Sequence, residues 1–239
     1  MNKLKIGLIV FLIVSVTSLF ADMKRYEVKS GEIQYEISGS GTMIGVTTEI
    51  SGSSSLFFKD YGRIELNKER IVQEMMGQKE ISEDIVKIDG DIVYSVDLEE
   101  NVIYKQKMPD DSKDAVLKTK GAKSLESLGG KKIGTEKVAG YNCDIWELSG
   151  VKMCLYKGVP LKTETNTMGV VQSKIAKSIK FNISIDNNKF NLPDYPIKSM
   201  SDKMKENQKQ MEEQMKNMSP EQKKMMQDMM KNMGGMFGK

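Results

Sequence analysis

Sulfur is where this chain could do chemistry. It holds 2 cysteines and 19 methionines and has no histidine. Without imidazole there can be no His-based triad, no Cys–His dyad and no zinc or haem site that needs a histidine ligand. Two cysteines are also too few for a four-thiolate site. Thiol pairing and thioether chemistry remain. Cys143 and Cys154 stand on either side of Ser149–Gly150. A two-residue turn there sets Leu148 opposite Val151, Ile145 opposite Cys154 and Cys143 opposite Tyr156. The sulfurs then share a face but lie on a diagonal, where Cα atoms are about 7–8 Å apart. That is marginal for a bridge, and a bulge or longer turn would bring the pair level. Thiols this close in an exported chain are expected to form a disulfide. The spacing is not C-x-x-C, so a redox-active pair is the lesser reading. A copper site built from Cys143, Met153 and Cys154 is weaker still, because Met153 should point to the opposite strand face.

The methionines gather at the C-terminus. Met204, Met211, Met215 and Met218 form one narrow helical stripe, and Met225, Met226, Met229, Met230, Met233 and Met236 follow it. Three uses compete. Met226, Met229, Met230 and Met233, three and four residues apart, are neighbours on a helix and could offer thioethers to Cu(I). A lysine-rich amphipathic helix could lie on a membrane surface, although Phe237 is its only aromatic anchor. Flexible, polarizable methionines could also form an adhesive face for the protein's own domain, a second copy or a protein partner. Breadth favours the adhesive face. The adjacent pairs Met225–Met226 and Met229–Met230 widen the apolar surface to about half the helix, more than a three-ligand metal site requires. The expected partner or membrane face is therefore Met204, Met211, Met215, Met218, Met225, Met226, Met229, Met230 and Met233. Cu(I) binding is the alternative, and no resident cofactor is expected.

No catalytic constellation accompanies the sulfur. The acidic pairs Glu99–Glu100, Asp110–Asp111 and Glu212–Glu213 fall in turns or on polar helix faces and read as solvated surface. There is no nucleophile elbow, P-loop or dinucleotide fingerprint. The run "SGSGTMIG" lies between strands instead of opening a helix, so a phosphate cradle is not expected. Trp146 reads as core, not as a ligand cage.

The elements that would position these residues are mostly strands. Ile33, Tyr35 and Ile37 alternate with Glu32, Gln34 and Glu36 in "GEIQYEI", and "IGVTTEI" repeats the pattern. Period two with one polar face predicts half-exposed antiparallel strands. "SLFFKDYGRIEL" carries two short strands around Gly62. "IVKIDGDIVYSVDLEENVIYKQ" carries a hairpin turn at Asp89–Gly90, and "EEN" leads into Val102–Gln106. Helix formers between Ser112 and Gly129–Gly130 predict one helix crossing the sheet. Strands resume in "KKIGTEKVAG", "YNCDIWEL", "VKMCLYKG", "LKTETNT", "GVVQSKIAKSI" and "KFNISI". After "NLPDYP" the composition turns to Lys, Glu, Gln and Met. Ser219-Pro220-Glu221-Gln222 is a helix start. It divides the tail into helices over about 201–217 and 220–233, the second ended by Gly234–Gly235.

The N-terminus sets the compartment. Two lysines precede the 16-residue apolar run Ile6–Ala21, and charged residues follow it. This is the layout of a cleaved secretory signal peptide, and the run is short for a spanning helix. An uncleaved anchor is the alternative. The net charge of +3 includes Lys3 and Lys5, so 3 − 2 leaves about +1 without the leader. No basic patch calls for nucleic acid. The expected domains are a signal peptide over 1–21, a β-rich domain over 22–197 and a Met-rich helical tail over 198–239. The fold class is mainly β, a curved antiparallel sheet or open half-barrel with helical additions, and a sandwich is the runner-up. Periplasmic localisation is expected.

Four short motifs carry a resemblance. They are Phe-x-Asp-Tyr-Gly at Phe58–Gly62, Tyr-x-x-Asp-Leu at Tyr94–Leu98, Gly-x5-Gly-Tyr-x-Cys at Gly134–Cys143, and Gly-x-Pro-Leu-Lys at Gly158–Lys162. Together they resemble bacterial exported proteins whose β-domain is similar to the Lol-type lipoprotein carriers, the LolA/LolB-like half-barrel. The match covers most of residues 26–195 and none of the tail. It implies a concave apolar surface able to receive an acyl chain. These motifs are turn glycines and strand aromatics, so they carry fold before function. The expected function is that of an exported, non-catalytic binding protein for an apolar ligand, a lipid or a protein partner. A structural module of the cell envelope is a further alternative.

Overall fold

The computed structural model describes residues 24–43, 45–108, 125–126, 128–167 and 169–217. The expected signal peptide, most of the helix expected over 111–128, and Met218 with all later methionines lie outside the described residues. Twelve strands form one sheet: β1 Gly31–Met43, β2 Val46–Lys59, β3 Ile64–Met75, β4 Gln78–Asp89, β5 Ile92–Asp97, β6 Val102–Lys107, β7 Lys131–Val138, β8 Tyr141–Leu148, β9 Val151–Tyr156, β10 Val159–Thr167, β11 Val170–Phe181 and β12 Ile197–Ser199. Helix α1 runs from Met200 to Asn217. The order across the sheet is β12-β6-β5-β4-β3-β2-β1-β11-β10-β9-β8-β7. One meander spreads from β1 to β6, and a second returns from β7 to β11. They meet at the antiparallel β1·β11 pair. Among the described strands only β12 runs parallel to its neighbour, β6.

The mainly-β, open and curved sheet expected from the alternation is therefore the fold. Several strands are longer than the alternation predicts. "VTTEI" and "SLFFK" belong to one strand of 14 residues. The Ser/Gly stretch between them was expected to break it, yet it stays paired. Both β1 and β2 carry Ile-Ser-Gly-Ser, and the register sets Ile37 against Gly52 and Gly39 against Ile50. Each glycine thus stands opposite the other strand's isoleucine. A Cβ on Gly52 would come within 2.3 Å of the Arg70 carbonyl oxygen, so the bare backbone permits a tight local approach. The β4–β5 turn is Gly90–Asp91, closed by Asp89 opposite Ile92, one residue later than expected. "KFNISI" is not a separate strand. Lys180 and Phe181 end β11, and the chain then leaves the ladder.

Two contacts measure the curl. Glu69 on β3 and Lys174 on β11 are three strand spacings apart, roughly 14 Å in a flat sheet, yet their Oε2 and Nζ atoms are 2.5 Å apart. Tyr141 on β8 and Phe181 on β11 are also three spacings apart, and their ring centroids are 5.2 Å apart. The face carrying Ile33, Tyr35 and Ile37 is thus concave. Its core joins Ile33, Tyr35, Leu56, Phe58, Val159 and Leu161 to both cysteines. Tyr26 and Val28, just before β1, fold onto the same cluster. The convex face has its own smaller core. Phe57 and Leu66 pack there against Phe190, which lies on the 3-10 turn Asn187–Phe190 between β11 and β12.

Candidate functional site

The concave face is built by register. Across β1, β2, β3 and β4, Tyr35 stands beside Ser54, Glu69 and Asp84, while Ile37 stands beside Gly52, Ile71 and Ser82. Further along, Glu65 pairs with Ile88, which pairs with Val93, and Asn67 pairs with Val86. This face is unequal along its width. Over β1, β2 and β8–β11 it is closed by aromatic rings: Phe58 lies 4.6 Å from Tyr26 and 6.3 Å from Phe181, and Tyr156 stacks on Phe181 at 5.5 Å. Over β3–β5 the apolar residues Ile71, Val86, Ile88 and Val93 are only half-buried.

Charged groups line the boundary between these regions. Arg25 Nη2 lies 3.0 Å from Glu65 Oε2, and its Nε donates to the Gly62 carbonyl at 2.8 Å. The Tyr26 hydroxyl donates to Glu65 at 2.7 Å. Burial pushes the Glu65 carboxyl above its ordinary range, against the pull of Arg25, Tyr26 and Lys174. Burial likewise raises the Tyr26 phenol well above its usual value, and Glu65 adds to the effect. Lys174 bonds Glu69 and sits 4.9 Å from the centre of the Tyr35 ring. A buried acid on a concave face is what an enzyme reading would require. Here Glu65 and Glu69 each have their own cation, and Arg25 and Tyr26 come from the segment that must be fastened before β1. The arrangement fastens that segment. Gly62 makes it possible: its φ is +83°, and a Cβ would meet the Tyr26 ring at 2.7 Å.

The cysteines form the bridge. Cys143 and Cys154 are joined with Cα atoms 5.3 Å apart. The register is the predicted one, with Ile145 opposite Cys154 and Leu148 opposite Val151. The expectation that a diagonal pair needs a bulge or longer turn to become level is corrected. The β8·β9 ladder stops at Asp144–Leu155, so the strand ends carrying Cys143 and Tyr156 are free of it, and twist shortens the diagonal. Both sulfur positions are 2% exposed and belong to the concave core. A covalent link inside a core is a structural one. Cys143→Ser with Cys154→Ser should cost about 3 kcal/mol, the chain-entropy value for so short a loop. A denaturant melt under oxidising conditions measures it; a loss below about 1 kcal/mol would make the bridge dispensable.

Of the predicted methionine face, Met204 is described fully, and it is 66% exposed. Met211 and Met215 lie on α1 by backbone placement. Met218, Met225, Met226, Met229, Met230 and Met233 lie outside the described residues, so neither the adhesive nor the Cu(I) reading meets coordinates. Among the described residues no group of three or more Cys, Asp and Glu side chains could hold a metal ion. Trp146 is half-buried on the convex side, opposite Met153 and Lys132. It belongs to neither buried cluster of the described residues, so the core position expected for it is corrected to a half-buried one.

Sequence reasoning missed Arg25, Tyr26, Glu65, Glu69, Lys174 and Lys203. Lys203 pins the first turn of α1. Its Nζ is 3.1 Å from Asp97 and 3.3 Å from Glu100, and it stands 4.1 Å over the Tyr104 ring. Burial works against its charge, but Tyr104, Asp97 and Glu100 outweigh that and raise its pKa. A lysine four residues into a polar helix carries no signal of such a role.

No family model matches the chain, and no curated protein does. Solved structures do. An uncharacterized conserved protein from Thermus thermophilus is 8% identical with a TM-score of 0.38, over 70% of this chain and 90% of that one. MucB is 16% identical with a TM-score of 0.35, over 74% of this chain but only 61% of its own. A LolA superfamily protein from Nitrosomonas europaea is 8% identical with a TM-score of 0.27, over 72% and 94%. A putative outer membrane lipoprotein-sorting protein domain from Vibrio parahaemolyticus is also among these structures, 10% identical with a TM-score of 0.31, over 70% and 92%. Identities and scores of this size describe an outline; the concave face stands on its own geometry.

Proposed function

We propose that this is an exported, periplasmic, non-catalytic binding protein whose concave face receives an apolar or amphiphilic ligand, such as a lipid chain, or an apolar segment of a protein partner. The observation that carries the reading is the half-buried cluster Val86, Ile88 and Val93 on the concave side of β4–β5, with Ile71 further along the same face beyond Glu69 and Asp84. It borders a fully packed aromatic core. The LolA-like motifs support the same use of the face. The disulfide accords with folding in an oxidising compartment.

Protein purified from cells should carry lipid, or should bind a fluorescent fatty-acid probe that unlabelled fatty acid displaces. Ile88→Glu places a charge where an acyl chain would lie. It should weaken the probe by about tenfold or more, because a charge buried without a partner is costly. Absence of both co-purified lipid and displaceable probe at micromolar protein overturns the ligand reading.

A further inference from the structure

A groove lies at the β4–β6 end of the sheet and adjoins that patch at Ser95, the partner of Val86. β4 pairs with β5 over Ile85–Asp89, so Gln78–Asp84 extend past that neighbour with no second strand partner among the described residues. Between this stretch, the β5–β6 turn and the first turn of α1, the groove encloses about 740 Å³. Its lining mixes apolar side chains, among them Ile81, Leu98, Met200 and Met204, with acidic ones. Ile81, 55% exposed, and Met204, 66% exposed, offer unburied apolar surface in it. Five carboxylates line it, Glu80, Glu83, Asp84, Asp97 and Glu99, against a single ammonium, Lys203. Glu83 also reaches Arg70 at 3.2 Å, and Asp97 is held by Lys203. The lining still carries an excess of negative charge.

We infer that this groove is the docking site of the chain's own C-terminal segment, residues 220–239. Composition fits first. That segment has four lysines, Lys223, Lys224, Lys231 and Lys239, against Glu221 and Asp228, and it holds six methionines and Phe237. It is basic and apolar where the groove is acidic and apolar. Length fits next. From Met204 to Asn217, α1 advances about 20 Å, and the helix expected over 220–233 is about as long. Turned back at Ser219–Pro220, it returns to the level of Met204 near residue 233. Gly234–Gly235 then release the chain, and Met236 and Phe237 arrive at the groove. The stripe fits as well. At about 100° per residue, positions 200, 204, 211 and 215 fall within roughly 60° of one another. Met200 and Met204 line the groove, so the returning helix has a continuous row of positions to follow. A second copy of the chain, or a membrane, is the occupant to be told apart from this one.

The test is a disulfide between engineered positions in the full-length chain, with Cys143–Cys154 left intact. Ile81→Cys combined with Phe237→Cys should oxidise to an intramolecular crosslink in a monomer. Phe237→Cys combined with Lys131→Cys, on the far edge strand, should not. Glu80→Lys with Asp84→Lys in the first pair should slow crosslinking about fivefold, the size expected for two exposed charge pairs. A crosslinked dimer without monomeric product would assign the groove to a second copy and overturn the inference. No crosslink, or an equal yield from the far-edge pair, would also overturn it. Because the fatty-acid probe reads the concave patch and the crosslink reads this groove, either reading can fail while the other stands.

Discussion

Phe58→Ala should lower stability by about 4 kcal/mol, within the range for deleting a fully buried aromatic ring. Phe58 is fully buried and is placed where the two meanders meet. Its ring lies between Tyr26 from the N-terminal segment and Phe181 from the end of β11, and it packs over Gly31, where a Cβ would come within 2.5 Å of it. The truncation opens a cavity at that junction, and strands paired on both sides resist collapse into it. Phe57→Ala is the informative comparison. Phe57 is the neighbouring residue but points to the convex face, where it packs with Leu66 and Phe190 in the smaller core. Its loss should be smaller, about 3 kcal/mol. The two changes should be nearly additive, because a sheet separates the clusters. Urea melts with unchanged slopes would measure both. A Phe58→Ala loss below that of Phe57→Ala would mean that the concave aromatic cluster does not hold the halves together.

That pair of residues also shows what the sequence could and could not reveal. "SLFFK" announces a strand, and consecutive phenylalanines announce that both of its faces are covered. It does not say by what. The covers are Tyr26 on one side and Phe190 on the other, and the latter lies far downstream in a stretch that reads only as a proline-marked boundary. Local alternation made β1, β5, β6, β8 and β9 legible, along with the register that brings the cysteines together. Strand length was less legible, because Ser/Gly runs have low strand propensity, and it is pairing along their length with each other and with β11 and β3 that keeps β1 and β2 continuous. The charged groups on the concave side were invisible for a related reason. In "IELNKERI", alternation puts Leu66 on the face a reader would choose as core. Glu65 and Glu69 then appear solvated. Sheet curvature inverts that judgement by bringing Arg25 and Lys174 over them, and curvature is a property of the whole sheet that no single window of residues encodes.

Arg25→Met should be among the most destabilising single changes, and its cost should depend on pH. The methionine keeps the apolar stem of the side chain and removes the guanidinium 3.0 Å from Glu65 Oε2. Glu65 is then a buried carboxylate held only by the Tyr26 hydroxyl and the more distant Lys174 charge. Breaking a buried pair from one side typically costs about 3–5 kcal/mol; with both side chains slightly exposed, at 16% and 13%, about 3 kcal/mol is expected at neutral pH. The sign of the pH dependence follows from the direction of the Glu65 shift. Burial raises its folded pKa above the unfolded value, and Arg25 is the strongest influence pulling it back. The native state therefore keeps its proton longer than the unfolded chain does. Stability from this group is fully present below the ordinary carboxylate pKa, about 4.3, and declines as pH rises through the raised folded value. Removing Arg25 raises that value further and extends the decline toward neutrality. The variant should thus be closest to wild type in mildly acidic buffer, where only the lost Gly62 contact remains, and furthest from it at neutral pH. Adding Glu65→Gln should remove the acid and with it most of the pH-dependent part of the loss, while leaving the lost Gly62 contact unrepaired. Denaturant melts of the three proteins at acidic and neutral pH give the comparison. A loss equal at both, or unrelieved by Glu65→Gln, would show that Arg25 acts through packing and its Gly62 contact, and not by compensating a buried charge.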